Sequence, residues 1–308
     1  MEKWKGKYPY ILLVLANIIW GGNFVIGRVG AGYFPPITFS LLRWLLAFLF
    51  LSPFMIKKLR RDFAIFWQYK WMVLTLSITG IAGYNTLLYY SLHFTTSINA
   101  SVVNSTTPLV MVVLSIFILK ERLSLKQTAG IAFSIIGIVF ILSKGSLQAL
   151  AAFSFNSGDL IVLVAVVSWS IYSIVIKKYA AVLPVYTTFY VTSILGILLL
   201  TPLSLLELKQ GKILLTPASV VILLYVGLFA SIVAFLSWNI GVAKAGAAKS
   251  GIFINLLPVF ATIFATLFNG ESLMWYQLAG GAIVLLGVLL SSWAPVKERA
   301  LSASKAEM

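Results

Sequence analysis

The stretch PLVMVVLSIFILKERLSLKQTAGIAFSIIG, Pro108 to Gly137, recurs 150 positions later as PVFATIFATLFNGESLMWYQLAGGAIVLLG, Pro258 to Gly287. Aligned without a gap, Pro108 falls on Pro258, Glu121 on Glu271, Leu123 on Leu273 and Gln127 on Gln277. Ala129 and Gly130 fall on Ala279 and Gly280, Ala132 on Ala282, and Gly137 on Gly287. Apolar helices match by chance at Leu and Val positions. An ordered series of proline, glutamate, glutamine and glycine at one offset marks an internal repeat instead. A shift of 149 carries it further back, with Trp20 on Trp169 and Pro53 on Pro202.

The repeat is made of membrane spans. The chain is 60% hydrophobic and only 10% charged, far from the charge content of a soluble domain. Its apolar residues come in runs of roughly 20, the length a helix needs to cross a ~30 Å hydrocarbon core. The runs are continuous rather than short and alternating, which favours helices over a barrel. Ten spans are expected, near 8–27, 35–56, 71–92, 97–119, 124–143, 159–176, 184–206, 217–240, 245–268 and 272–293. Lys3, Lys5 and Lys7 precede a run too long for a signal core, so the first span is expected to be retained.

Basic residues orient the spans, because cytoplasmic segments hold the excess of Lys and Arg. With the N-terminus cytoplasmic, the inside segments carry Lys3, Lys5, Lys7; Lys57, Lys58, Arg60, Arg61, Lys70; Lys120, Arg122, Lys126; Lys177, Lys178; Lys244, Lys249; and Lys297, Arg299, Lys305. The outside segments carry only Arg28, Lys144, Lys209 and Lys212, and Arg43 lies within the second span. Both termini are therefore expected on the cytoplasmic side of the cell membrane. The chain divides into a first five-helix repeat (8–143), an extracytoplasmic connection (144–157), a second five-helix repeat (158–293) and a cytoplasmic tail (294–308). Five is odd, so the second copy enters from the opposite face. Inverted-topology repeats around a central cavity are typical of secondary transporters. The expected fold class is all-α, with ten transmembrane helices as two inverted five-helix repeats.

The chain resembles the drug/metabolite transporter superfamily, in particular its EamA-like ten-helix exporters. The resemblance rests on Trp20-Gly21-Gly22-Asn23-Phe24 in span one, Arg43 in the Leu-Leu-Arg-Trp of span two, and the two series that begin at Pro108 and Pro258. It covers about residues 8–293. It implies two EamA domains around a central cavity and export of small metabolites, often amino acids or related compounds, without naming the cargo.

Several classes of function are excluded or disfavoured. There are no cysteines and one histidine, His93, so thiol chemistry, disulfides and multi-histidine metal sites do not arise. No paired carboxylates, His-x-x-Glu-His pattern or serine elbow suggest an enzyme. The +15 net charge sits between apolar runs rather than in a basic domain, so nucleic acid is not an expected partner. No cofactor or metal is expected. The expected partners are a small-molecule substrate and membrane lipid, with the chain a monomer or a homodimer.

Polar residues inside spans are costly and become candidates for function. No acidic residue falls at mid-membrane: Glu2, Asp62, Glu207, Glu298 and Glu307 lie in loops or tails, and Asp159, Glu121 and Glu271 at helix ends. Small multidrug resistance relatives use a first-helix glutamate for proton coupling; span one offers Asn17 and Asn23 in its place, so a relay of that type is not expected. His93, near the outer end of span three, is the one side chain whose ordinary pKa suits proton exchange; an interfacial histidine without a special role is the competing reading. The expected substrate-binding residues are Trp20, Asn23, Tyr84, Asn85, Tyr89, Asn104, Trp169, Tyr172, Trp238, Asn239 and Asn255. Asn85, Tyr89 and His93 recur every four residues on one face of span three, and Asn239 occupies the repeat position of Tyr89. Flat apolar faces with a few hydrogen-bonding groups suit a small amphipathic solute. Helix packing is the competing reading for each aromatic.

Pro108 and Pro258 are expected to kink spans four and nine, freeing the carbonyls of Asn104 and Ile254; broken helices are where transporters place sites. Arg43 has two readings: it binds a carboxylate substrate, or it snorkels to the headgroups. Its repeat position is Val191 or Thr192, which favours the structural role. Gly130, Gly137, Gly280 and Gly287 are expected to permit close helix packing, and Glu121 and Glu271 to fix the turns after spans four and nine. The rival functions are a carrier of a sugar or drug, and a receptor or subunit without transport. A sugar or nucleotide-sugar carrier would want more cationic residues in its spans than Arg43.

Overall fold

An apolar segment in lipid must satisfy its own backbone groups, and a helix does so within itself. The computed structural model describes residues 8–118, 125–146, 148, 156–179, 181–245, 250 and 253–292, and the regular structure among them is entirely helical. In chain order the helices are α1 (Tyr8–Gly30), α2 (Pro36–Gln68), α3 (Lys70–Ser91), α4 (Ser97–Asn104), α5 (Thr107–Ile118), α6 (Leu125–Leu142), α7 (Ser157–Tyr179), α8 (Val185–Glu207), α9 (Pro217–Lys244), α10 (Leu257–Asn269) and α11 (Trp275–Ser292). Six of them, α1, α2, α3, α7, α8 and α9, are long and apolar enough to cross a membrane; α6, α10 and α11 contribute shorter apolar stretches. Their outward faces carry large exposed apolar side chains such as Phe54, Leu198, Phe229 and Leu267, a surface suited to lipid. Glu121 and its turn, most of the 147–155 connection and the tail from 293 lie outside the described residues.

The helices depart from the expected spans in two ways. Helix α2 continues to Gln68, so Lys57, Lys58, Arg60 and Arg61 extend a helix rather than forming a loop. Asp62 is accordingly buried within α2, where it accepts from Thr187 Oγ1 at 2.9 Å and pairs with Arg61. Span four is two helices. Helix α4 ends at Asn104, a turn occupies Ser105 and Thr106, and α5 begins at Thr107. Pro108 has no N–H to give the Asn104 carbonyl. That carbonyl is taken by Thr107 Oγ1 at 2.7 Å and so is not free to face a pathway. A matching turn at Asn255 and Leu256 precedes α10 and Pro258.

Helices α3 and α9 each contain a π-helical segment, Ser77–Gly83 and Tyr225–Val233. A π turn leaves a carbonyl without its usual amide, and side chains from other helices fill these positions. Trp44 Nε1 donates to Ile81 O and Trp20 Nε1 to Ala230 O, each at 3.1 Å. Ser168 Oγ donates to Thr79 O at 2.8 Å.

Packing pairs the helices in a regular scheme. Helix α2 lies against α8, and α6 against α11; α1 packs on α9 and α10, while α7 packs on α3 and α5. The α6–α11 contact is backbone on backbone: a Cβ added at Gly137 would stand 2.8 Å from Gly280 O. Such small-residue contacts drive association where lipid competes with every apolar side chain. Connections gather at two ends. At one, Glu207 accepts from the Ile37 and Thr38 amides, Thr95 donates to Asp159, and Leu214 donates to Tyr33 O. Glu271 accepts from the Ser97 and Ile98 amides at 3.1 and 3.0 Å, so it caps the N-terminus of α4 rather than only its own turn. At the other end Asp62 meets Thr187, and Tyr69 meets Tyr179.

Candidate functional site

The centre of the bundle is built by α1, α2, α3, α7 and α9. Trp169 of α7 is its aromatic hub. Its ring stacks on Tyr172 at 5.0 Å, tilts against Tyr84 at 4.9 Å, and stands edge-on to Trp20 at 5.4 Å and Phe235 at 5.3 Å. Trp238 closes the set against Trp20 at 5.6 Å and Trp169 at 6.3 Å. Edge-on and offset contacts of this kind are the favoured geometries for aromatic pairs.

A polar chain runs beside the rings. Tyr89 donates from its hydroxyl to Asn23 Oδ1 at 2.9 Å and accepts from Arg43 Nη1 at 2.5 Å. The same nitrogen donates to Asn85 Oδ1 at 2.9 Å, and Arg43 Nε donates to Ser231 Oγ at 2.7 Å. Asn85 and Ser231 are each tied in turn to a π-segment carbonyl, Gly80 O and Val226 O. Arg43 thus bridges the two π segments. Its guanidinium is 0% exposed, and Nη2 has no hydrogen-bond partner. A separate pair, Asn239 and Tyr172, joins α9 to α7 at 3.1 Å from Asn239 Nδ2 to the phenol oxygen. Tyr84 donates to Asn104 Oδ1 at 3.1 Å.

Ten of the expected residues therefore meet: Trp20, Asn23, Tyr84, Asn85, Tyr89, Asn104, Trp169, Tyr172, Trp238 and Asn239. Trp20 and Tyr84, the most open of them, are 8% exposed, so the side chains fill the centre instead of lining an open chamber. Asn255 stands apart in the turn before α10, with Oδ1 buried and unpaired. His93 is also apart, exposed in the turn after α3. Partial burial and the nearby Arg28 cation hold its imidazole below the usual value. Two residues that the expected set omitted hold the site together, Arg43 and Ser231. Arg43 was legible as the one cation inside a span; Ser231 had no signal beyond a hydroxyl in an apolar run.

Comparison with known proteins agrees with this architecture. The EamA-like transporter family model matches the chain twice, over residues 7–143 and 156–293. The chain belongs to the EamA-like transporter family. Membership makes it a multi-pass membrane transporter rather than an enzyme. Among EamA-like relatives, it is 29% identical to an "Uncharacterized transporter YyaM" of Bacillus subtilis, over 92% of this chain and 93% of the relative. It is 28% identical to a "Probable amino-acid metabolite efflux pump" of Salmonella typhimurium, over 91% and 93%. A solved crystal structure shares the fold with a TM-score of 0.61 and 19% identity, covering 97% of this chain and 99% of that one.

Proposed function

We propose that this chain exports small metabolites, amino acids or related compounds, across the cytoplasmic membrane by alternating access, using two inverted five-helix repeats. The observation that carries the reading is the buried central cluster, in which helices from both family-model matches converge on amides, aromatic rings and one guanidinium. Polar groups in a membrane interior are expensive, and such a concentration is retained for a substrate path. The Salmonella relative's name supports amino-acid metabolites as the cargo class.

Three features support the inverted repeat. The family model matches each half. The helix pairs exchange under a swap of halves: α1 with α9 and α10 corresponds to α7 with α3 and α5, while α2–α8 and α6–α11 map onto themselves. The π segments end at Gly83 and Val233, and the span-four and span-nine turns fall at 105–106 and 255–256, each 150 residues apart. With spans four and nine each counted once, the chain crosses ten times. The end bearing Asp62 also carries Lys58, Arg61, Lys70, Lys178 and Lys244, with Trp67 and Trp71 beside Lys70. Cationic residues with interfacial tryptophans support a cytoplasmic position for that end, and with it for both termini.

The site residues then divide by position. The Asn23–Tyr89–Arg43 chain lies towards the outer end and the Tyr172–Asn239 pair towards the inner end, with the aromatic rings between. Each pair closes one side, and opening one while the other holds gives alternating access. A small cleft lined by Ile176, Leu183, Thr188 and Ala243 also borders Asn239. The test is an untargeted comparison of metabolites released by cells with and without the protein, followed by proteoliposome flux of the compounds found. Asn85→Leu and Trp169→Ala are expected to cut that flux at unchanged expression. Flux equal to the parent in both variants would show that the central cluster is not the path.

A further inference from the structure

Among the described residues, the carboxylates Asp62, Asp159, Glu207 and Glu271 all sit at the ends of the bundle and are engaged there with Arg61 and Thr187, Thr95, Thr38 and the α4 amides. None reaches Arg43. The remaining acidic residues, Glu2, Glu121, Glu298 and Glu307, fall in the tails or the turn after span four. Among the described residues, the guanidinium is therefore a fully buried cation held only by neutral partners, Ser231, Asn85 and Tyr89. These take one proton from Nε and both from Nη1, leaving the two Nη2 protons unused. One turn earlier on the same face of α2, Ser40 Oγ is 0% exposed and also has no partner. Burying a charge without a counter-charge is strongly unfavourable. Leaving donors unpaired beside it adds to the cost. A packing role would be served by an apolar residue at lower cost. Snorkelling is closed to a side chain with no exposed atom and three central hydrogen bonds.

We infer that Arg43 is an anion receptor on the path, and that the transported molecule presents a carboxylate to it. This rests on the transport reading and names the substrate class. One carboxylate oxygen accepts from Nη2. The other accepts from Nε in place of the Ser231 hydroxyl, which keeps its own bond to Val226 O. Ser40 supplies a further donor. A bidentate carboxylate on one edge of the guanidinium is the geometry for which this side chain is suited. Trp44 and Tyr89 lie under the guanidinium at 5.0 and 5.5 Å, and the rings of Trp20, Trp169 and Trp238 offer an apolar seat for the rest of the molecule. Arg43 holds both π segments through Asn85 and Ser231, so a carboxylate that displaces Ser231 loosens the hold on α9 alone.

The test uses matched pairs that differ only at the carboxyl group: leucine, methionine, phenylalanine and hydrocinnamate, each against its carboxamide. Full-length protein in detergent is scored for thermal protection, and in proteoliposomes for counterflow. The parent is expected to favour at least one carboxylate over its amide by tenfold or more. Arg43→Lys is expected to keep that preference with weaker binding, and Arg43→Gln to abolish it. The melting temperature of each arginine variant without ligand is read alongside, and where either fails to fold, the parent's response to acid against amide decides alone. Equal response to acid and amide in the parent, or none to any carboxylate, overturns the inference. Neither result touches the transport reading, which stands or falls with the metabolite-release comparison.

Discussion

The hydroxyl of Tyr89 donates to the amide oxygen of Asn23 across 2.9 Å, and the second half contains the same pair with its members exchanged. Asn23 and Tyr172 are 149 positions apart, Tyr89 and Asn239 150. Where α1 gives the amide and α3 the phenol, α7 gives the phenol and α9 the amide. The contact is kept while the phenol and the amide trade helices, which makes it a polar clasp between the first and third helices of each half.

Exchange suggests a direct test. Tyr172→Asn leaves two amides where a phenol and an amide met, and Asn239→Tyr crowds two phenols. Each single change is expected to destabilise the detergent-solubilised protein by about 1–3 kcal/mol, the cost of a buried group left unpaired. The double exchange is expected to recover at least half of the loss. A double variant as unstable as the sum of the singles would deny the clasp.

Tyr89→Phe removes both a donor to Asn23 and an acceptor for Arg43. It is expected to cost about 2–4 kcal/mol in thermal unfolding, since bonds to a charged group exceed neutral ones. Transport is expected to fall with it, because the proposed outer closure rests on this hydroxyl.

Gly137→Leu would place a side chain where the backbone of Gly280 stands. Helices α6 and α11 must then part, and the expected result is poor expression or a lowered melting temperature. Gly270→Ala acts on a different principle: Gly270 has φ of 63° and nothing near its side-chain position, so the cost is backbone strain of about 1 kcal/mol.

His93 supplies a pH prediction. Its imidazole in the folded protein holds a proton less readily than in the unfolded chain. Protonation then destabilises the fold, an effect absent above about pH 6.5 and growing as the pH falls below that value. Transport above neutral pH is expected to be unchanged in His93→Gln, while the variant resists acid slightly better. A shifted pH optimum for flux would instead place the histidine in the energy coupling.

Much of this was legible in the residues because the bilayer enforces it. Continuous apolar runs, the basic clusters and the paired prolines leave few alternatives to a helical membrane protein, and Pro108 sits where span four breaks. The central residues were legible for a related reason: an amide among apolar neighbours has few explanations. The rest depended on distance in the chain. Nothing local marks Ser231 as a partner of Arg43, 188 positions away. No sequence rule marks the π segments, whose spare carbonyls are filled by Trp20, Trp44 and Ser168 from other helices. Arg43 was visible but undecided, because snorkelling and ligand binding look alike until the side chain's surroundings are known.

The solitary guanidinium has an electrical consequence. Among the described residues no acid stands beside it, so the unloaded site carries one uncompensated positive charge, which the proposed carboxylate, if it brings a net negative charge, would cancel. A transmembrane voltage exerts about 2.3 kcal/mol per elementary charge per 100 mV over the full thickness. That force acts on the vacant form as it resets and spares the occupied form. Turnover would then respond to voltage through the return stroke, and saturating cargo on both faces would mute the response.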